Sequence, residues 1–394
     1  MSTSPERRQS ECVLCGAPTD PVLDLPGLAL TDTFTRDPEP QAVPVFDQAL
    51  RFCGACHHGQ LAVQVSPKIL YGERYGFRTS ASATARRGTD FFLDTVNQVA
   101  GKRSFKLALD LGCNDLFLLS SLADRAALRV GIDPLWAGRE NSVDVPGIKV
   151  IGQGIEEVDL SDLPAKPDLI VCRHTLEHIA DPLAVVTRTV QAAAADALFV
   201  FEVPGLEPLV NRNRFDQVFH QHLQYFSQAS FARLLERAGA VAVAWASNYH
   251  DWGAFAVAFV KAPAAPLQAP MCPPDLARVM ASRDVFTRQM AATRAVIEGL
   301  EGTVYGYGAG QMLPVLAYHL KTDLARLDAV LDDDPQKAGL RYANLPLTVM
   351  GSDGVEDLSR ASVLITAVDS APGILRHLLN GPRPRHIVYP FHIL

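Results

Sequence analysis

No long basic run interrupts this chain, whose 394 residues carry a net charge of −7. Gripping nucleic-acid phosphates without regard to sequence takes clustered Lys and Arg, so the charge pattern argues against a general nucleic-acid binder. The opening residues, MSTSPERRQSE, lack the apolar stretch of a secretory leader. No uninterrupted apolar run is long enough to span a bilayer. Cysteines number only seven, and four of them fall in two tight pairs. That usage fits a reducing compartment and a metal site better than a disulfide framework. The expectation is a cytoplasmic protein with neither nucleic acid nor membrane as partner. What the chain does have is ordinary globular material, 48% hydrophobic and 20% charged, with length for two or three domains.

The paired cysteines come first. Cys12-Val-Leu-Cys15 and Cys53-Gly-Ala-Cys56 form a C-x₂-C…C-x₂-C set. Two residues between thiols let a tight turn aim both sulfurs at one point, and two such turns complete a tetrahedral S₄ site. The motif predicts one structural zinc, which lets a loop-rich segment fold on a small core. Beyond it, Tyr71-Gly-Glu-Arg-Tyr75-Gly-Phe77-Arg78 sets aromatics beside glycine. This is an ordered loop, either a seam between domains or a lid over a pocket. A helix over residues 82–100 follows.

The middle of the chain reads as the ligand edge of a doubly wound sheet. Phe105-Lys-Leu-Ala-Leu-Asp110-Leu-Gly112-Cys-Asn114 is an apolar strand running into a glycine turn. Leu128-Arg-Val-Gly-Ile-Asp133 is a second strand ending in an acid, placed to accept from ribose hydroxyls. The turn lacks the G-x-G-x-x-G that cradles a pyrophosphate, so an adenosine without phosphates suits it better than a dinucleotide. S-adenosylmethionine is such a ligand. Gly152-Gln-Gly-Ile155-Glu156, the strand ending at Cys172 before Arg173-His174, and the strand Ala197–Glu202 continue the order. At this point the sequence resembles class I S-adenosylmethionine-dependent methyltransferases. The resemblance assigns the donor to Asp110, Gly112, Asn114, Asp133, Ile155, Glu156 and His174. His174-Thr-Leu-Glu177-His178 also spells an inverted zinc-protease motif. That chemistry needs both histidines on one helical face, and the motif begins at a strand end.

After the last of these strands comes the densest stretch of chemistry, Phe215-Asp-Gln-Val-Phe219-His220-Gln221-His222-Leu-Gln-Tyr225-Phe-Ser227. Imidazole moves protons near neutral pH, and the aromatics around it can wall a dry pocket. A Pro/Ala-rich linker over 263–274 leads to a helix over 275–300. Thr303-Val-Tyr-Gly306-Tyr307-Gly308-Ala-Gly310 then opens another βαβ unit, with Gln311 where a third fingerprint glycine would stand.

A four-cysteine head, a methyl-donor domain and this histidine loop, in that order, resemble the deoxysugar C-methyltransferases that act on nucleotide-linked keto sugars. The resemblance implies an α/β chain in three parts. They are a zinc-binding head with the aromatic loop (10–80), a class I methyltransferase domain (81–262) and a C-terminal Rossmann-like substrate domain (275–394). It implies a monomer or homodimer with a nucleotide-linked sugar as substrate. It also implies a general base at His222, with Gln221, His220 and Tyr75 as its acid–base neighbours. Phe77, Phe219, His250, Tyr307 and His392 would face the substrate. The chain departs from the family pattern at defined points. Gln221 stands for a glutamate, Phe219 for a tyrosine, Phe77-Arg78 for Tyr-His, and Leu116 for a glycine after Asn-Asp. These changes keep a second class open: a protein with the same pockets that binds nucleotide sugars, or moves protons, without transferring methyl.

Overall fold

The computed structural model describes residues 6–7, 10–39, 42–71, 78–248, 253–262, 269–355, 357–381 and 383–391. At its centre lies a seven-stranded mixed sheet. Its spatial order is Ala240–Asn248, Ala254–Lys261, Leu198–Pro204, Leu169–Arg173, Phe105–Leu111, Ala126–Ile132, Ile148–Ile151. The five strands from Leu198–Pro204 to Ile148–Ile151 run parallel; Ala254–Lys261 is antiparallel to them, and Ala240–Asn248, antiparallel to that strand, runs in their direction at the sheet edge. Phe105–Leu111 and Leu169–Arg173 are covered on both faces, which is why they read as nearly continuous apolar runs. The order reverses beside Phe105–Leu111, so the crevice for a ligand opens at the carboxyl ends of these strands. Against one face packs the helix Ala83–Ala100, started by the Ser82 hydroxyl accepting from Ala85 N–H and stopped at Gly101. Gly88 on that helix admits the Arg173 guanidinium, because a Cβ there would lie 2.1 Å from Nη2.

The head is a four-stranded antiparallel sheet in the order Gln224–Tyr225, His58–Leu61, Val45–Cys53, Asp20–Ala29. Its first member belongs to the histidine loop: Gln224 pairs with Gln60 and Tyr225 with Gly59. The stretch expected inside the methyltransferase domain thus supplies an edge strand to the head, and the two share one hydrogen-bonded sheet. Ser227 then caps the helix Gln228–Arg237 through a reciprocal bond with Ser230.

The C-terminal part holds a five-stranded parallel sheet, ordered Val349–Gly351, Ala329–Asp332, Val304–Tyr307, Ser362–Ile365, His386–Val388. The helix Leu276–Gly299 packs against the helix Leu313–Leu320 and against the head strand Asp20–Ala29. A two-residue ladder, Phe34–Thr35 with Arg341–Tyr342, joins the head to this third part. Arg214 adds a second joint: it makes a two-point ion pair with Asp216, reaches Asp369 Oδ1 at 3.0 Å, and lies 4.8 Å from the Phe391 ring centroid. Among the described residues, no helix is long and apolar enough to cross a membrane.

Candidate active site

The four thiols converge. Cys12 Sγ lies 3.6 Å from Cys56 Sγ and Cys15 Sγ lies 3.5 Å from Cys53 Sγ, with all four sulfurs within 4.8 Å of one another. A zinc tetrahedron with bonds of about 2.3 Å separates its sulfurs by about 3.8 Å, so the set fits the ion. The Gln60 side chain accepts from Val13 N–H and donates to the Glu11 carbonyl, pinning the first knuckle to the head sheet.

The donor turn is built from backbone that side chains rarely adopt. Gly112 (φ 86°), Asn114 (φ 43°) and Leu116 (φ 67°) all take the left-handed region. For Leu116 this costs about 1–2 kcal/mol, which is why glycine suits that place. Asp133, at the end of the neighbouring strand, accepts from Asn114 N–H at 2.8 Å and from Leu135 N–H at 2.9 Å. It therefore shapes the turn while keeping lone pairs for further donors. Asp110 is fully buried; burial first, then the charge of Asp133, pushes it up to about 8. Its Oδ1 has no hydrogen-bond partner among the described residues. A buried carboxyl lacking a partner beside this turn suits a positively charged ligand such as a sulfonium amino acid.

Ile155 is buried and holds the Arg188 guanidinium through its carbonyl, whereas Glu156 is exposed. Sequence reasoning missed Trp136, whose indole N–H donates to the Asn114 carbonyl at 2.7 Å. Its position three residues beyond the acidic strand end was the available signal. Missed too was the segment after the aromatic loop. Thr79 N–H reaches Asn114 Oδ1 at 3.3 Å and Ser80 N–H reaches Asp115 Oδ2 at 2.8 Å, laying residues 78–81 over the donor turn.

Next to this turn is a cluster of imidazoles and carboxylates. His174, in left-handed backbone, sets Nδ1 3.3 Å from Glu177 Oε1 and Nε2 3.9 Å from Glu202 Oε1. Burial pulls its pKa down to about 4. Glu202 is held by Arg173. Glu177 is buried, pushed up to about 6 by that burial, and its Oε2 lacks a hydrogen-bond partner among the described residues. His178 places Nδ1 2.8 Å from the Gln221 main-chain oxygen and 2.9 Å from the Tyr71 hydroxyl. A carbonyl only accepts, so Nδ1 carries a proton, and Nε2 lies 3.9 Å from Glu177 Oε1. The turn Leu176–His178 is a single short 3₁₀ turn, so the protease helix face is not formed. Glu177, His178 and His222 nonetheless bring ligand-type atoms within 4.8 Å of one another, a set that could hold a cation.

His222 completes the cluster. Its ring lies 5.0 Å from that of His178 and 4.3 Å from Phe219. Burial, with His178 and His174 close by, pushes its pKa well below the usual imidazole range. His220 points the other way: Nε2 lies 3.0 Å from the Leu28 carbonyl and Nδ1 3.4 Å from Gln48, inside the head. Gln221 donates to Asp32 Oδ2 at 3.2 Å and the Leu70 carbonyl at 3.4 Å.

Tyr307 is buried in the C-terminal sheet and donates to Asp333 Oδ1 at 2.6 Å. Beside it, Asp332 takes Ala309 N–H and Lys337 Nζ, so the acid of this second turn is occupied by the chain's own donors. Tyr75, Phe77, His250 and His392 lie outside the described residues.

Comparison with known proteins accords with this geometry. Residues 82–244 match the family described as "Methyltransferase domain" and residues 12–71 the family described as "Putative zinc binding domain". The chain is 28% identical to the C-methyltransferase NovU of Streptomyces niveus over 194 residues, 48% of this chain and 45% of that protein. It is 32% identical to the ubiquinone biosynthesis O-methyltransferase of Bordetella parapertussis over 114 residues, 28% of this chain and 46% of that one. The chain thus spans about half the length of these curated relatives. Among solved structures, N-methyltransferase NodS from Bradyrhizobium japonicum with S-adenosyl-L-homocysteine aligns at 15% identity and TM-score 0.36, covering 46% of this chain and 88% of that one. The chain carries the S-adenosylmethionine-binding fold of class I methyltransferases, preceded by a zinc-binding domain with its four cysteines in place.

Proposed function

We propose that the protein is an S-adenosylmethionine-dependent C-methyltransferase acting on a nucleotide-linked keto-deoxysugar, with His222 as general base. The observation that carries this reading is the cluster of His222, His178 and Glu177 beside the donor turn. Carbon next to a ketone is nucleophilic only as its enolate, so a base must take a proton before methyl can move. His222 stays uncharged at neutral pH, because burial and two neighbouring imidazoles disfavour its cation. It is therefore ready to accept.

The proton leaves carbon for His222, and the C–H electron pair becomes the enolate. Negative charge then develops beside the new imidazolium and stabilises it. S-adenosylmethionine supplies an electrophilic methyl on sulfonium; the new C–C bond takes the enolate pair and the broken C–S pair stays on sulfur. Phe219 and Tyr225 wall the base from water. In this reading Asp133 receives the ribose and Asp110 faces the positive end of the donor. Three parts, 10–80, 81–262 and 275–394, divide the work, the last holding the nucleotide.

The test is incubation with methyl-labelled donor and a panel of keto-sugar nucleotides. Label on carbon in the product supports the reading. Donor binding with no transfer to any member moves the protein to the class that keeps the pockets without the chemistry.

A further inference from the structure

Asp32 is an odd residue for its surroundings. It lies between the head strand Asp20–Ala29 and the short ladder that ties the head to the C-terminal part. Its backbone is left-handed (φ 55°), a conformation that costs even aspartate some strain. Its side chain is 8% exposed. No ion pair to Asp32 occurs among the described residues; Gln221 and Thr31 are its hydrogen-bond donors, and burial outweighs both. An anion so placed is costly, and packing gives no reason for it.

The residues on either side hold it firmly. Thr33 Oγ1 donates to Asn344 Oδ1 at 2.7 Å, Asn344 Nδ2 donates to the Leu30 carbonyl at 3.0 Å, and Ala343 N–H to the Thr33 carbonyl at 2.9 Å. From this fixed point the carboxylate takes the Gln221 amide. The Gln221 carbonyl takes His178 Nδ1, and His178 faces the His222 ring. The next peptide unit in the chain leads to His222 itself.

We infer that Asp32 is a positioning residue for the histidine loop: anchored on the head, its carboxylate holds Gln221 and through it sets both His178 and His222. The inference rests on the methyl-transfer reading for its effect on rate, but the anchoring is measurable without it. Among the described residues, the ladder that ties the loop to the head, Gln224–Tyr225 with Gly59–Gln60, begins beyond His222; ahead of it the loop is held by side chains, His220 on the Leu28 carbonyl and Gln221 on Asp32. Residues 219–222 have no sheet partners of their own.

The acid and the amide can be exchanged. Asp32→Asn leaves two amides, which still fit but lose the charge-assisted bond. Gln221→Glu leaves two carboxylates 3.2 Å apart, which repel. The double variant Asp32→Asn/Gln221→Glu restores one acid and one amide with the hydrogen bond reversed. Each single change is expected to lower kcat by roughly 10–100-fold, the effect of a small misplacement of a catalytic group. Donor affinity should stay at the parent value. The double variant should recover most of the loss. A merely structural role would lower melting temperature and kcat together and would gain nothing from the exchange. Parent-like kcat in Asp32→Asn, or a double variant no faster than the slower single, overturns the inference.

If the parent transfers no methyl to any sugar, the functional reading fails and the anchoring is read from histidine ring NMR signals. Asp32→Asn should then displace the signals of His178 and His222, and the double variant should bring them back towards the parent. Signals unmoved by Asp32→Asn overturn the inference on their own.

Discussion

His178 Nδ1 lies 2.8 Å from the main-chain oxygen of Gln221, so the imidazole beside His222 in space is tied to the residue beside it in sequence. The bond fixes the placement of one ring relative to the backbone that carries the other.

Removing the base isolates its part. His222→Ala should bind donor as the parent does and transfer methyl roughly 10²–10⁴-fold more slowly. Calorimetry with the donor and single-turnover rates check the two halves. A variant as fast as the parent would pass the role to another group, with His178 nearest.

Asp133→Ala should weaken donor binding by about 1–3 kcal/mol, the cost of losing charge-assisted hydrogen bonds. Because Asp133 also fixes Asn114 and Leu135 N–H, Asp133→Asn should weaken it less. Unchanged calorimetric affinity in both would remove Asp133 from the donor site.

Metal analysis should find one zinc per chain, released with loss of head structure in Cys53→Ser. The donor turn sits in a different sheet, so donor binding should survive while methyl transfer falls. A second tightly held divalent ion, lost in Glu177→Gln, would assign Glu177, His178 and His222 to that ion and take His222 out of the base role.

Asp32 makes stability depend on pH in a stated direction. Burial raises its pKa from 3.8 to about 6. The folded state thus holds its proton more tightly than the unfolded one. The stability this gives is complete below about pH 3.8 and drains away as pH rises through about 6. Asp32→Asn escapes the loss. Denaturant unfolding should show it level with the parent near pH 4 and more stable at pH 8, by up to about 3 kcal/mol. A variant that gains stability while losing rate would mark the aspartate as kept for function.

How far the sequence spoke depended on distance along the chain. Cys12 to Cys15 and Cys53 to Cys56 are self-contained turns, and Asp110–Asn114 with Asp133 is one strand–turn–helix–strand unit, so spacing alone defined them. The choice between His220 and His222 was different. Extended backbone would set both rings on one face, but the chain turns here, with His222 N–H on the Phe219 carbonyl, and the packing of the head takes His220 in and leaves His222 beside His178. Asp32, Tyr71 and the Glu177–His178 turn reach the site through contacts between remote segments, which no local pattern encodes. Gln221 looked like a lost acid because its partner lies in the head, far off in sequence.

The shared sheet also sets an order of assembly. His58–Leu61 leaves the ribosome long before Gln224–Tyr225, the strand that closes its open edge. Until the loop arrives, the young head carries an unpaired strand edge, the kind of surface that recruits foreign strands. Closure demands a long-range contact, which is slow to form. Sluggish or interrupted synthesis should therefore favour aggregation nucleated at the head, and the finished histidine loop would be the chain's own protection against it.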